Sequence, residues 1–549
     1  MLGGKAIMNN LVTPLLNDLY EFTMAYAYWK SGRHEDASVF DLFIRENPFG
    51  GEFTIFAGLE DVVNHVKGFH FTDDDIDYVK SVLPAADTKF FTWLKHIDCS
   101  HIKIYAPKEG TIVFPMIPLL RIEGPLGIAQ LLETTLLNLI NYPSLVATNA
   151  ARMKLAAGLP AEVPNISGTQ AGKNKGLLEF GLRRAQGPDG GLTASRYSYL
   201  GGFDATSNML AGKIYGIPVK GTLAHAFVST FSSLKEIASS TITTPDGKKA
   251  EFVSSVLDFR KKLSAENSHG GELAAFIAYA QAFPKGFLAL VDTYDTLKSG
   301  VPNFLAVALA LHTVGYAPVG VRLDSGDLAY LSKQTREHFR KVSNQFRVPF
   351  ENLSIVASNN INEATLHALT QQGHEIDVFG IGTHLVTCQA QPALGGVYKL
   401  VEVNGEPRIK LSQEKAKTTI PGKKEVYRLI DQHGFPITDL MIRVGEAPPK
   451  VGEKILCRHP FEEAKRAYIK PSNVLLLHHC VWDGKSAASR LVGTTLEQRR
   501  QFVLEQIASF RQDHLRYLNP TPYKVSVSES LYDFIHEIWQ REMPVAELE

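Results

Sequence analysis

Four short β-branched runs in the middle of the chain constrain its fold more than any other feature. They are "FLALVD" ending at Asp292, "VGVRLD" at Asp324, "LSIVAS" at Ser358 and "IDVFGIG" at Gly382. Their ends lie 32, 34 and 24 residues apart, with helical text between them. "PNFLAVALALHTVG" opens on Pro302, suited to a first helical turn, and stops at Gly315. "NINEATLHALTQQG" offers Asn360 as a cap, Glu363 three residues on and Gly373 as a stop. That rhythm is one of consecutive βα units on a parallel sheet, most simply a barrel.

The flanks read differently. Residues 1–150 mix helical and strand patterns: "LLNDLYEFTMAYAYWKSG" is helical, with Asn17 or Asp18 as the cap and Gly32 as the stop. "ASVFDLFIRENPFGGEFTIFAGL" reads as a strand pair around a Pro/Gly turn, and helical text runs from Ile128 to Gly158. Residues 159–175 break it with Pro, Gly, Asn and Lys, as a surface loop does. Residues 151–400 form the barrel region and 401–549 a more polar, mixed region. There "TTLEQRRQFVLEQIASFRQDHLRYL" is an amphipathic helix with a capping-box start at Thr494/Glu497.

At 549 residues more than one domain is expected. Lys+Arg and Asp+Glu both total 57, so no basic field points to nucleic acid or a membrane surface. The four cysteines, Cys99, Cys388, Cys457 and Cys480, form no CxxC pair, which argues against a zinc module or a disulfide framework and fits a reducing compartment. No signal peptide or membrane-length apolar run is read, and a soluble, cytosolic protein is expected.

In a βα barrel, the C-terminal strand ends converge on one mouth. Here they supply Asp292, Asp295, Arg322, Asp324, Asp327, Ser358 and Asn359. Carboxylates beside an arginine suit Mg²⁺ together with an anion. Equally, Arg322 and Asp324 could form a structural ion pair and Asp327 cap the next helix. In "FGIGTHLVT", Gly380 and Gly382 allow close backbone approach and Thr383 opens a helix, an arrangement suited to phosphate. "FGLRRAQGPDGG" sets Arg183 and Arg184 before a Gly/Pro loop, either as anion ligands or at a helix terminus. Asp204 in "GGFDATSNMLAG" is as well suited to a helix N-cap as to a ligand. His225 stands alone in the small, apolar run "GTLAHAFVSTF", where residue type alone favours a satisfied core histidine.

Six blocks in order, "LLNDLYEFTMAYAYW", "FGLRRAQGPDGGLTASRYSYLGGFDATSN", "GTLAHAF", "VGVRLDSGDL", "IVASNNINE" and "FGIGTHLVT", resemble nicotinate phosphoribosyltransferases from about residue 11 to the C-terminus. The resemblance implies an irregular α/β barrel of the type II phosphoribosyltransferase kind, with a second α/β domain formed from the N- and C-terminal parts. It implies joining of nicotinate to 5-phosphoribosyl 1-diphosphate, with Mg²⁺ (or Mn²⁺), ATP as co-substrate, and a homodimer with sites at the interface. His225 matches the family's phosphohistidine, and Asp292 and Asp324 its acidic residues near ribose, diphosphate and Mg²⁺, the direct metal ligands being left open. Tyr20, Phe180, Arg183, Thr222 and Arg322 match residues around nicotinate, the tyrosine that Tyr20 matches coming usually from the partner subunit. Gly380, Gly382 and Thr383 match the 5′-phosphate cradle, and Asp204 is grouped with the phosphoribosyl diphosphate residues. Other readings are nicotinamide or quinolinate as the base, a sugar-phosphate aldolase or isomerase, and a non-catalytic scaffold. No strand end offers the lysine an aldolase would want.

Overall fold

In the computed structural model, residues 11–159, 174–411, 418–487 and 493–543 are described. Most of the 159–175 loop, residues 160–173, lies outside them. The four β-branched runs become Leu288–Leu290, Gly320–Leu323, Ser354–Ala357 and Val378–Ile381, adjacent and parallel in that order. Gly176–Glu179 and Ala205–Thr206 continue the same sheet, and a parallel bridge from Thr206 to Val219 extends it. Among the described residues the ladder does not close from Val219 back to Leu288, so the barrel is irregular.

The helices between the strands explain why the sheet is buried. Val301–Thr313, with Pro302 in its first turn, is buried from Phe304 through Leu311 because it is apolar on every side. Glu363–Gln372 begins two residues later than its sequence suggests. Asn362, not Asn360, caps it by accepting from the Thr365 N–H, while Asn360 takes a left-handed φ of 46° in the turn before.

The second unit joins both chain ends in one sheet. Ala37–Ile44 lies antiparallel between Leu120–Pro125 and Gly396–Val403, and Lys103–Ala106 and His479–Trp482 complete that side. The strand pair expected around the Pro/Gly turn does not form. Both edges of Ala37–Ile44 are taken, and Thr54–Ile55 pairs with Ile112–Val113 instead. Residues 38–44 are buried throughout, and Asp41 survives there by pairing with the equally buried Lys424 at 2.7 Å. A third, six-stranded sheet is built wholly from the C-terminal region. The divisions drawn at residues 150 and 400 fall inside the helix Glu133–Ala157 and the strand Gly396–Val403, which tie the units together.

Leu19–Lys30 has Asp18 at its cap position, but that carboxylate accepts from Thr134 Oγ1 and not from its own helix. The C-terminal helix Leu496–Ser509 is capped one residue later than the Thr494/Glu497 pattern suggests. Thr495 and Gln498 form the reciprocal box, which leaves Thr494 Oγ1 to accept from Arg499. Thr495→Ala should therefore cost about 1 kcal/mol in urea denaturation.

Candidate active site

The polar strand ends meet at one mouth. The Leu288–Leu290 strand runs out into Asp292 and Thr293, and the Asp324 N–H donates to Asp292 Oδ2 at 3.1 Å. The Ser325 hydroxyl donates to the same oxygen. From the next strand, Ser358 Oγ donates to Asp324 Oδ1 at 2.6 Å. Three neighbouring strands thus fix two carboxylates through short-range donors.

His225 stands over them. It opens the five-residue helix His225–Ser229, with Nδ1 3.1 Å from Thr293 Oγ1. Its Nε2 lies 3.6 Å from Asp324 Oδ2 and 3.9 Å from Asp292 Oδ1. The imidazole is 45% exposed while Asp292 is 2% exposed, so a solvent-open ring faces a buried acid. The core-histidine reading of "GTLAHAFVSTF" does not hold. Asp292 Oδ1 is buried with no hydrogen-bond partner, an expensive state for a carboxylate oxygen unless something binds there.

Arg322 lies between the buried Val321 and Leu323, so the alternation of the strand turns it the other way, onto the segment before His225. Nη2 donates to the Leu223 carbonyl at 3.2 Å, which sets Arg322 beside Thr222, and Nε is buried without a partner. Burial pulls this guanidinium below its usual value. Asp324 and Asp292 oppose the shift, and Arg183 adds to it. The suggested Arg322–Asp324 ion pair is not made at contact distance, since the close partners of Asp324 are Ser358 and His225. Asp327 does cap its helix, accepting from the Tyr330 N–H at 3.0 Å.

Phe180 follows the strand Gly176–Glu179, and its N–H donates to the Ile381 carbonyl. A Cβ on Gly380 would sit 2.5 Å from the Phe180 ring, so only glycine lets the ring lie against that strand end. Arg183 and Arg184 are exposed in the next turn. Gly382 and Thr383 begin the short helix Thr383–Val386, which is held from behind. Asn149 donates to the His384 and Leu385 carbonyls, and the Tyr142 hydroxyl to that of Val386.

Two residues named from the sequence are not brought to this mouth. Asp204 accepts from the Leu177 N–H and from Arg500, with Lys154 at 3.8 Å, where the parallel strands begin and not where they end. Asn208 caps the helix that follows it. Tyr20 lies on Leu19–Lys30 among Glu21, Glu133 and Thr134, and burial with the nearby Glu133 pushes its hydroxyl up to about 12. Thr293 and Glu179 are the residues that sequence reasoning passed over. Glu179 is buried and accepts from Ser195, Thr206 and the Gly181 N–H, bracing the turn that carries Arg183. Thr293 directly follows the strand end "FLALVD", and only its contact with a residue 68 positions away singles it out. Among the described residues no group of three or more His, Cys, Asp or Glu is arranged to hold a metal.

Family models for nicotinate phosphoribosyltransferase match successive stretches of the chain. The N-terminal domain model matches residues 15–141, the family model 176–437 and the C-terminal domain model 423–535. Nicotinate phosphoribosyltransferase 2 of Arabidopsis thaliana is 54% identical over 100% of this chain and 98% of its own length. The nicotinate phosphoribosyltransferase of Dictyostelium discoideum is 52% identical over 98% of this chain and 90% of its own. The crystal structure of human nicotinic acid phosphoribosyltransferase superposes with a TM-score of 0.83 at 42% identity, covering 95% of this chain and 99% of that one. With three consecutive family models and relatives aligned along almost its full length, this chain belongs to the nicotinate phosphoribosyltransferase family.

Proposed function

We propose that the protein transfers the phosphoribosyl group of 5-phosphoribosyl 1-diphosphate to the ring nitrogen of nicotinate, releasing diphosphate and forming nicotinate mononucleotide, a precursor of NAD. The observation that carries this reading is the mouth itself. Arg322 brings a partly desolvated cation with a free Nε beside two fixed carboxylates and an open imidazole.

Each residue has a role the chemistry requires. Arg322, next to Thr222, pairs the carboxylate of nicotinate, and Phe180 stacks on its ring. The pyridine nitrogen is already nucleophilic, so positioning does most of the work and no strong base is needed. Loss of the diphosphate leaves positive charge at the anomeric carbon, which Asp292 and Asp324 favour, while Arg183 faces the departing phosphates. Gly380, Gly382 and the start of the Thr383 helix cradle the 5′-phosphate.

Asp292 and Asp324 fit Mg²⁺ or Mn²⁺. Both offer hard oxygens, and Asp292 Oδ1 is buried and unpartnered toward His225. Two carboxylates, with no third protein ligand beside them among the described residues, suit an ion that keeps waters and phosphate oxygens in its shell. Bound there, the ion would neutralise charge developing on the leaving diphosphate. ATP serves as co-substrate by phosphorylating His225, and Thr293 holds the imidazole at Nδ1 while it does so.

The active assembly is a homodimer. Tyr20 is 45% exposed on Leu19–Lys30, with Leu16 and Leu19 exposed beside it, which supports its delivery into a neighbouring subunit's site. The cysteines are all free thiols, which supports a cytosolic setting, and no helix among the described residues is long and apolar enough to cross a membrane. Calorimetric titration with phosphoribosyl diphosphate and Mg²⁺, on protein shown by sedimentation to be a dimer, tests the reading. Saturable binding is expected. A folded dimer that binds none would instead be a scaffold of the same fold.

A further inference from the structure

Behind the catalytic mouth lies a buried acid that the proposed mechanism does not use. Glu272 stands in the first turn of Gly270–Ala282 and has no exposed surface. Its Oε2 accepts from Ser299 Oγ at 2.5 Å and from Asn303 Nδ2 at 3.0 Å. Ser299 Oγ accepts in turn from the His269 N–H, Asn303 Nδ2 also donates to the His269 carbonyl, and Asn303 Oδ1 accepts from Ser268. This arrangement leaves Glu272 Oε1 buried with no partner.

The network grips the segment that supplies Asp292 and Thr293. The Ser299 and Gly300 N–H groups both donate to the Asp295 carbonyl, and the Asp295 carboxylate caps Leu297 and Lys298, so residues 295–300 form a closed turn. That turn folds directly onto the strand end, since a Cβ at Gly300 would fall 1.8 Å from the Val291 carbonyl oxygen. Tyr294 stacks on His269 at 3.8 Å. A shift at Ser299 is therefore passed to Val291 and its neighbour Asp292 with little slack.

We propose that Glu272 is a positioning residue for Asp292 and His225, and that its ionisation weakens the binding of phosphoribosyl diphosphate. This rests on the reaction proposed above. The ionised form would add a negative charge behind Asp292, which opposes the binding of an anionic substrate at the mouth. Burial pushes the Glu272 carboxyl up to about 7, Asp292 and Asp295 push the same way, and Ser299 and Asn303 oppose them. Arg260 gives its guanidinium to Ala265 and Ser268, and His269 uses Nδ1 to accept the Glu272 N–H. Of the elements packed on this helix, His225–Ser229 brings His225, Leu234–Glu236 brings Lys235 and the Ser232-bonded Glu236, and Val301–Thr313 brings His312 near its end.

The sign follows from the direction of the shift. Above about pH 7 the wild type carries the extra charge, whereas Glu272→Gln keeps the neutral form at every pH. The ratio of KM for phosphoribosyl diphosphate, wild type over E272Q, should rise about threefold between roughly pH 6 and pH 8, since ionisation of the substrate is common to both proteins. In Ser299→Ala, loss of a bond that lowers the Glu272 pKa should move the wild-type inflection to higher pH. A ratio that stays constant over this range, or an inflection unmoved in S299A, overturns the proposal while product formation stands. Absence of product from the wild type overturns the reaction itself, and this inference with it.

Discussion

Arg322→Leu raises KM for nicotinate by about a hundredfold and lowers kcat far less. The expectation follows from geometry. Arg322 is anchored by one bond, Nη2 to the Leu223 carbonyl, and keeps a buried Nε unpartnered. A guanidinium that is already partly desolvated gains more from a carboxylate than an exposed one does. Losing a charge-assisted contact of this kind costs about 3 kcal/mol, which is roughly a hundredfold in affinity. The contact is to the carboxylate, away from the reacting nitrogen, so ground state and transition state lose it together and KM carries the effect. Steady-state kinetics on nicotinate decides it, and a change in KM below about threefold would remove Arg322 from the base pocket.

His225→Ala abolishes ATP hydrolysis and the stimulation of mononucleotide formation by ATP, and it leaves the fold intact. The side chain is 45% exposed and makes one hydrogen bond, to Thr293, so stability should change by less than about 1 kcal/mol. No other imidazole is held over Asp292 and Asp324 among the described residues, so nothing can substitute as the phosphate carrier. The assays are phosphate release from ATP and product formation with and without ATP, on protein of wild-type melting temperature. Equal ATP stimulation in mutant and wild type would contradict the role given to His225.

The barrel was legible because its signal is local. Each strand is a short β-branched run, each ends on a polar residue or a glycine, and Pro302 and Gly373 mark helix boundaries within a few residues of the true ones. The strand-end rule also brought Asp292, Arg322, Asp324 and Ser358 to one mouth. What the sequence left dark depends on partners far along the chain. Ala37–Ile44 finds its neighbours at 120–125 and 396–403, so the nearest strand in sequence is not one of them. Asp204 resembles a ligand until Arg500, 296 residues away, takes its carboxylate. Glu272 reads as an ordinary first-turn acid of a helix, and only folding buries it behind Asp292. The two helix caps missed by one or two residues, at Asn362 and Thr495, lie beside look-alike residues of the same type, and local geometry chose between them.

The most direct test of the central claim is mononucleotide formation from nicotinate, nicotinamide and quinolinate. Each is supplied with phosphoribosyl diphosphate and Mg²⁺, with and without ATP. The arrangement at Arg322 predicts product from nicotinate alone, increased by ATP, because nicotinamide offers no carboxylate and quinolinate brings a second one that needs a further cation. Product from either other base, with none from nicotinate, would contradict it.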